Sequence, residues 1–241
     1  MKIEFLGTRG YIDAQTRRHR RHSSTKISYY DHTVIIDCGE DWQDEVHRWN
    51  AEAIVVTHAH PDHVFGLKKG APCPVFATEA SWETMEDFAI KQRERMPHRQ
   101  PIEIAGMTFE SFPVLHSTRA PAVGYRISAG RVAIFYVPDV AWIEDRDAAL
   151  SDIRVYVGDG ATVSRSMIRK PGEVIIGHAP IRTQLTWCRK LDVSRAIFTH
   201  LGSEIVEGDK EQLEDKIGSL ARERGIDRVE IAYDGMEAVL R

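Results

Sequence analysis

The stretch Ile54-Val55-Val56-Thr57-His58-Ala59-His60-Pro61-Asp62-His63 decides how the rest of the chain is interpreted. It begins with apolar and β-branched residues and reaches a turn signal at Pro61, which is typical of a short buried strand. Four metal-binding side chains, at positions 58, 60, 62 and 63, follow within six residues. Because α/β proteins place their sites in the loops at the carboxyl ends of strands, this segment predicts a metal site.

Length and composition describe an ordinary globular protein. The chain has 241 residues, of which 42% are hydrophobic and 28% are charged. Its formal net charge is -4, so no overall basic field favours nucleic acid. The cysteines, Cys38, Cys73 and Cys188, form no CxxC pair, which fits a reducing compartment better than a disulfide framework. We find no signal region and no apolar run of membrane-spanning length, and we therefore expect a cytoplasmic protein without membrane contacts.

Strand and helix patterns follow each other along the whole chain without a repeat, a low-complexity tract or a linker. Antiparallel strand groups come first and helices intervene later. This order favours one α/β domain over residues 1–241, with two sheets in the core and helices outside. Residues 161–176 fit neither pattern. The periodicity predicts a hairpin over 25–37 and helices over 41–50, 78–95, 180–191 and 209–223.

Metal-binding residue types recur in one context, directly after the carboxyl end of a predicted strand. Beside the 58–63 cluster, these residues are His116, Asp139, His178 and His200. The repeated placement predicts that they converge on one rim of the sheets. Histidine and carboxylate ligands without thiolates suit zinc, manganese or iron and exclude a cysteine-type structural zinc site. The set exceeds what one tetrahedral ion takes and matches the needs of two ions.

Several further residues have two interpretations. Arg165, Arg169 and Arg182 are either surface charges or bidentate contacts to a phosphate. His178 is either a core residue at a helix start or a catalytic group. Asp159, between two glycines, is either a turn residue or a partner that orients a ligand histidine.

The basic segment 17–22 also has two interpretations, a solvated loop or a lip that attracts a phosphate-bearing substrate. The histidines outside the strand-end set are expected at the surface. They are His19, His22, His32, His47 and His98.

The motif His58-Ala59-His60-Pro61-Asp62-His63, with a later His, Asp and His each after a strand, resembles the metallo-β-lactamase-fold hydrolases. The resemblance covers nearly the whole chain. It implies a four-layer αβ/βα sandwich of two mixed β-sheets with helices outside. It also implies two divalent metal ions, with zinc expected and manganese or iron as alternatives. By the same resemblance, His58, His60 and His116 would bind the first ion, Asp62, His63 and His200 the second, and Asp139 would bridge them.

Within this superfamily the chain is most similar to the phosphodiesterase branch, which includes RNase Z and the PhnP-like phosphodiesterases. In that branch a further histidine lies one helix and one strand before the last ligand, and His178 occupies that place. His60 stands where flavodiiron-type relatives usually have Glu, which disfavours a redox role. The chain lacks the long insertion with which RNase Z grips tRNA and the structural-zinc cysteines of some PhnP proteins.

The resemblance therefore implies a dinuclear phosphodiesterase that cleaves a small or cyclic phosphodiester by attack of a metal-bridging hydroxide. Asp62 would orient the nucleophile, and His178 would donate a proton or hydrogen bond to the phosphate. The alternatives are a carbonyl hydrolase (a thioesterase or lactonase), a tRNA 3′-processing endonuclease and a non-catalytic accessory protein. A small-molecule substrate is favoured over nucleic acid, and a homodimer is left open. The complete set of seven ligand positions argues against the accessory role.

Overall fold

The computed structural model describes residues 1–241 as two mixed β-sheets with helices outside them. The first sheet has the order β15-β1-β2-β3-β4-β5-β6. Its strands are β1 (Lys2–Gly7), β2 (Ser24–Tyr29), β3 (His32–Ile36), β4 (Ala53–Val55), β5 (Val75–Ala77), β6 (Arg93–Arg95) and β15 (Met236–Val239). The first three strands pair antiparallel, whereas β3, β4, β5 and β6 run parallel.

The second sheet has the order β11-β8-β9-β10-β12-β13-β14, with β7 paired to β8. Its strands are β7 (Ile102–Ile104), β8 (Met107–Leu115), β9 (Ala122–Ala129), β10 (Val132–Tyr136), β11 (Trp142–Ile143), β12 (Val155–Asp159), β13 (Arg195–Thr199) and β14 (Arg228–Ile231). Strands β8, β9 and β10 form an antiparallel meander, and β10, β12, β13 and β14 run parallel.

The helices are short, and one 3-10 turn (Phe65–Leu67) directly continues α1. They are α1 (Pro61–Val64), α2 (Glu79–Thr84), α3 (Arg146–Leu150), α4 (Ile181–Lys190), α5 (Ser203–Val206) and α6 (Lys210–Arg222). None of them has the length and apolar character that crossing a membrane requires.

Three apolar clusters separate four layers. The central cluster joins the inner faces of the two sheets, with Phe5 and Ile27 from the first and Tyr125 and Ile134 from the second. A second cluster packs α3, α4 and α6 on the outer face of the second sheet. A third covers the outer face of the first sheet with α1 and neighbouring turns. Strands that are buried on both faces read as continuous apolar runs, as in β4. The predicted α/β sandwich of two mixed sheets is confirmed.

Two predicted helices are wrong. Residues 41–50 form two 3-10 turns, and the helix expected over 78–95 ends at Thr84, after which the chain returns to form β6. The Arg93 guanidinium donates hydrogen bonds to the carbonyls of Met85, Glu86 and Phe88, which lie just past the helix end. Because these carbonyls find a partner outside the helix, the chain can leave it without burying unsatisfied groups.

Candidate metal centre

The seven side chains predicted to bind metal lie together at one end of the two sheets. Two follow β4, two lie in the first turn of α1, and three come just after β8, β10 and β13. They are His58, His60, Asp62, His63, His116, Asp139 and His200. Strands β4, β10 and β13 have parallel neighbours, so their carboxyl ends meet at the edge of the sheets where α/β proteins place their sites.

One group of donor atoms consists of three imidazoles. Ring nitrogens of His58, His60 and His116 lie within 4.8 Å of one another. His58 Nε2 is 2.9 Å and His116 Nε2 is 3.4 Å from His60 Nδ1. Burial lowers the pKa of all three histidines, and that of His60 falls to about 4. The three rings are therefore neutral at physiological pH, which is the form that binds metal ions.

A second group contains carboxylates. Asp62 Oδ2 lies 2.9 Å from His200 Nε2 and 3.3 Å from His63 Nε2. Asp139 lies between the two groups, with Oδ2 3.0 Å from His63 Nε2 and Oδ1 3.5 Å from His116 Nε2. Burial opposes ionisation of Asp62 and Asp139, but the surrounding histidines hold both pKa values well below the usual range. The two carboxylates therefore bring negative charge to a buried site.

The donor set fits divalent cations. His63 Nε2 and Asp139 Oδ2 are both buried and have no hydrogen-bond partner, although they lie 3.0 Å apart. His200 Nδ1 is likewise buried without a partner. Leaving a buried polar atom unpaired costs about 1–3 kcal/mol, and a cation between such atoms would remove that cost. Imidazole and carboxylate donors without thiolate suit zinc, manganese or iron.

Neighbouring groups fix the orientation of the imidazoles. His63 Nδ1 lies 2.8 Å from Asp37 Oδ2, and the same carboxylate accepts hydrogen bonds from Thr57 N at 2.8 Å and Thr57 Oγ1 at 2.7 Å. His116 Nδ1 lies 3.2 Å from the Gly177 carbonyl. In both rings Nδ1 is engaged, and Nε2 points to the other donors. Asp37 was not predicted from the sequence, although it directly follows β3, as the donors follow other strands.

His178 lies next to the seven donors, although it follows no strand. Its Nδ1 is 2.8 Å from Asp159 Oδ2, and its ring stacks on His200 with centroids 5.8 Å apart. Burial opposes protonation, but the Asp159 carboxylate outweighs it and raises the pKa of His178 to about 9. Asp159 is fully buried and also accepts hydrogen bonds from Val140 N and Ala161 N, at 2.9 and 2.8 Å. Asp159 thus holds His178 in place rather than any of the seven donors.

Two cavities open on the cluster. A cavity of about 780 Å³ runs past Gly10, Tyr11 and Ile12, and one of about 910 Å³ runs past residues 117–119 and 165–169. His60, His116, Arg165 and His178 are among the residues that line both.

The three arginines considered as phosphate contacts lie in different places. Arg165 lines both cavities and Arg169 lines the larger one. Neither guanidinium forms an ion pair with a carboxylate. Arg182 is exposed on α4 and lines neither cavity.

The basic segment 17–22 does not line either cavity. Its histidines are not at the surface, contrary to expectation, since His19 and His22 are each 6% exposed. His19 Nδ1 lies 3.0 Å from Thr8 Oγ1, and Arg21 forms a 2.7 Å ion pair with Glu45. Internal contacts therefore occupy much of this segment.

A family model described as a beta-lactamase superfamily domain matches residues 32–201, which is more than half of the chain. The chain belongs to the metallo-β-lactamase superfamily. The match includes all seven donors and His178.

Curated relatives of this superfamily member include two proteins named ribonuclease Z. The one from Methanococcus maripaludis is 26% identical over 153 residues, which cover 52% of this chain and 49% of the relative. The one from Methanopyrus kandleri is 26% identical over 196 residues, which cover 72% of this chain and 64% of the relative. The chain thus spans about half to two thirds of the length of these relatives.

Solved structures of the superfamily share the fold along the whole chain. The metallo-beta-lactamase fold protein YhfI from Bacillus subtilis has a TM-score of 0.76 at 14% identity, covering 99% of both chains. A diphosphatase from the PhnP family has a TM-score of 0.72 at 20% identity, covering 100% of this chain and 98% of its own. Human tRNase Z, short form, has a TM-score of 0.68 at 16% identity, covering both chains fully. At these identities the likeness establishes the fold alone.

Proposed function

We propose that this protein is a metal-dependent phosphodiesterase that holds two divalent cations. The observation that carries the proposal is the position of His178, which Asp159 holds beside the seven donors at the meeting point of the two cavities. A hydrolytic metal centre needs only its ligands and a water. An additional histidine that a buried carboxylate orients and whose pKa it raises is suited to a reaction in which negative charge develops on a phosphate.

The proposed ligand assignment follows the two groups of donors. His58, His60 and His116 would hold one cation, and Asp62, His63 and His200 the other, with Asp139 shared. Zinc is the expected ion, with manganese or iron as alternatives. When bound, the two cations would supply Lewis-acid activation of water and neutralise phosphate charge.

The chain's own residues would divide the remaining tasks. Asp62 is ionised at neutral pH and is proposed to orient the attacking water. Although burial lowers it, the Asp159 carboxylate raises the pKa of His178 to about 9, which favours the protonated ring. His178 is proposed to donate to a phosphoryl oxygen or to the departing oxygen. Arg165 and Arg169 line the larger cavity without carboxylate partners and are proposed to bind the anionic substrate.

A ribonuclease is the second candidate, because the curated relatives are named ribonuclease Z. A net charge of -4 and the engaged basic segment 17–22 favour a small phosphodiester over a long nucleic acid. A thioesterase or lactonase with the same metal centre would bind no phosphoryl group, so it would have no phosphate charge for His178 to stabilise.

The test couples a metal assay to hydrolysis. Purified protein is analysed for zinc, manganese and iron, and its turnover of bis-p-nitrophenyl phosphate is measured. A panel of cyclic phosphates, a lactone, a thioester and a short RNA follows. We expect about two metal ions per chain and hydrolysis of diesters, and Asp139→Asn should reduce both. The exposed His47→Ala variant supplies the matched control. A protein that binds none of these metals, or that turns over the lactone and no diester, would contradict the proposal.

A further inference from the structure

A loop of residues 8–12, here called the Gly10 loop, lies directly against the metal centre. A Cβ atom on Gly10 would lie 3.0 Å from His200 Cε1, so the backbone of this loop touches the ring of a proposed ligand. Gly10 N donates a 3.0 Å hydrogen bond to the Leu201 carbonyl, and Leu201 N donates a 2.7 Å bond to the Thr8 carbonyl. The loop is therefore tied to the residue that follows His200.

The other side of the loop is also fixed. The buried Arg9 guanidinium donates to the Ile12 carbonyl and forms a 2.8 Å ion pair with Asp41. Tyr11 thus lies between two anchored residues, Gly10 and Ile12. Its backbone position is set by these contacts and does not depend on the ring. The ring is therefore available to contact a ligand.

The ring of Tyr11 is not part of the apolar core. It is 66% exposed. Its one aromatic neighbour is the ring of His22, tilted by 33° with centroids 6.2 Å apart. The ring lines the 780 Å³ cavity together with Ile12, Leu201 and the exposed Met167. A large aromatic surface left open beside a reaction centre is a feature of ligand sites.

The two cavities that meet at the metal centre differ in chemistry. The one beside Tyr11 has an apolar wall, Arg165 lies where the two cavities meet, and Arg119 and Arg169 line only the other. A diester whose phosphorus lies at the centre would direct one substituent into each cavity. The structure therefore favours a substrate with unlike ends, one flat and apolar and one anionic.

We propose that the Tyr11 side of the centre binds a nucleobase, stacked on the Tyr11 ring, so that the substrate is a nucleotide-containing phosphodiester. A cavity of about 780 Å³ is large enough for a nucleoside. The exposed Ser203 side chain lines the same cavity, and its hydroxyl can meet a polar base edge, which an acyl chain does not have. Stacking of a base on an aromatic side chain is tolerant of base identity. This inference rests on the proposed phosphodiesterase function and adds the substrate class.

The test compares two ligands that differ only by a base. Adenosine 5′-monophosphate and ribose 5-phosphate are titrated into the metal-loaded protein by calorimetry and are also assayed as competitive inhibitors of bis-p-nitrophenyl phosphate hydrolysis. We expect the nucleotide to bind about tenfold more tightly. Tyr11→Ala should remove that difference without changing metal content or binding of ribose 5-phosphate, and Tyr11→Phe should keep it. Tyr30→Ala, at an 85% exposed tyrosine outside both cavities, is the matched control.

The outcomes separate this inference from the function on which it rests. Equal binding of the two ligands, or an unchanged ratio in Tyr11→Ala, overturns the nucleobase site while diester hydrolysis continues. Binding of neither ligand by a protein that hydrolyses the diester also overturns it. Absence of diester hydrolysis by the metal-loaded protein overturns the phosphodiesterase proposal itself.

Discussion

Asp159 Oδ2 lies 2.8 Å from His178 Nδ1, and the same carboxylate accepts hydrogen bonds from the Val140 and Ala161 backbone. A buried anion with three donors has a fixed position, so the imidazole that it holds is fixed as well. Nδ1 donates its proton in the hydrogen bond to Asp159, and the opposite edge of the ring, with Nε2, faces the cavities.

Asp159→Asn should lower kcat for diesters by about tenfold to a hundredfold with little change in metal content, because the amide cannot stabilise a protonated His178. The measurement is a kcat comparison with metal analysis on the same samples. If Asp159 acts through His178, the double variant Asp159→Asn/His178→Ala should be no slower than His178→Ala alone. Additive losses would show that the carboxylate acts elsewhere.

His178→Ala should separate phosphate chemistry from carbonyl chemistry. We expect a loss of about a hundredfold in kcat for bis-p-nitrophenyl phosphate, because the donor to the developing charge is gone. The seven proposed ligands remain, so metal content should stay at the wild-type level. Any turnover of a lactone should change little. A variant that hydrolyses the diester at the wild-type rate would remove His178 from the mechanism.

Asp37→Asn should weaken metal binding. Asp37 is buried, bonds to Thr57 and faces His63 Nδ1 at 2.8 Å, so it sets the direction of His63 Nε2. Loss of such a partner typically costs 10- to 100-fold in metal affinity. Competition with a chelator gives the affinity, and Asp31→Asn, on an exposed turn, is the control. Unchanged affinity would make Asp37 a purely structural residue.

The convergence of the donors could be predicted from the sequence because they follow a local rule. Each of His116, Asp139 and His200 stands just after an apolar run, and a carboxyl strand end is visible without knowing the strand order. Asp37 obeys the same rule and was missed because its Asp-Cys-Gly setting was interpreted as the end of a hairpin strand. Tyr11 was missed because nothing in its local sequence indicates that Gly10 packs on His200.

The remaining differences come from contacts between distant residues. The apolar period of 78–95 fits a helix, but the Arg93 side chain binds the carbonyls past Thr84 and the chain forms an edge strand instead. The short strand β15 pairs with β1 at the opposite end of the chain, so no local sequence pattern predicts this pairing. His19 and His22 stand among arginines, which suggested exposure, yet tertiary contacts bury both.

The burial of His19 predicts an acid-sensitive contribution to stability. Burial, with a smaller effect of Arg18, lowers the pKa of His19 to about 4 in the folded protein, against 6.5 for the free side chain. Between about pH 6.5 and 4 the unfolded chain binds this proton and the folded chain does not. The free energy of unfolding should therefore fall as pH falls through this window and level off below it. The total fall is at most about 1.4 kcal/mol for each unit by which the folded and unfolded pKa values differ.

His19→Asn isolates this contribution. The Asn amide can occupy the position of Nδ1 and donate to Thr8 Oγ1, which itself donates to Asp234 at 2.7 Å, but it does not titrate. Urea unfolding of both proteins at pH 7 and pH 5 should show a larger loss for wild type, by on the order of 1 kcal/mol. The histidines proposed to bind metal titrate equally in both proteins and cancel in the difference. His47→Asn, at an exposed position, should follow wild type. Parallel losses in wild type and His19→Asn would mean that the proton reaches His19 in the folded state.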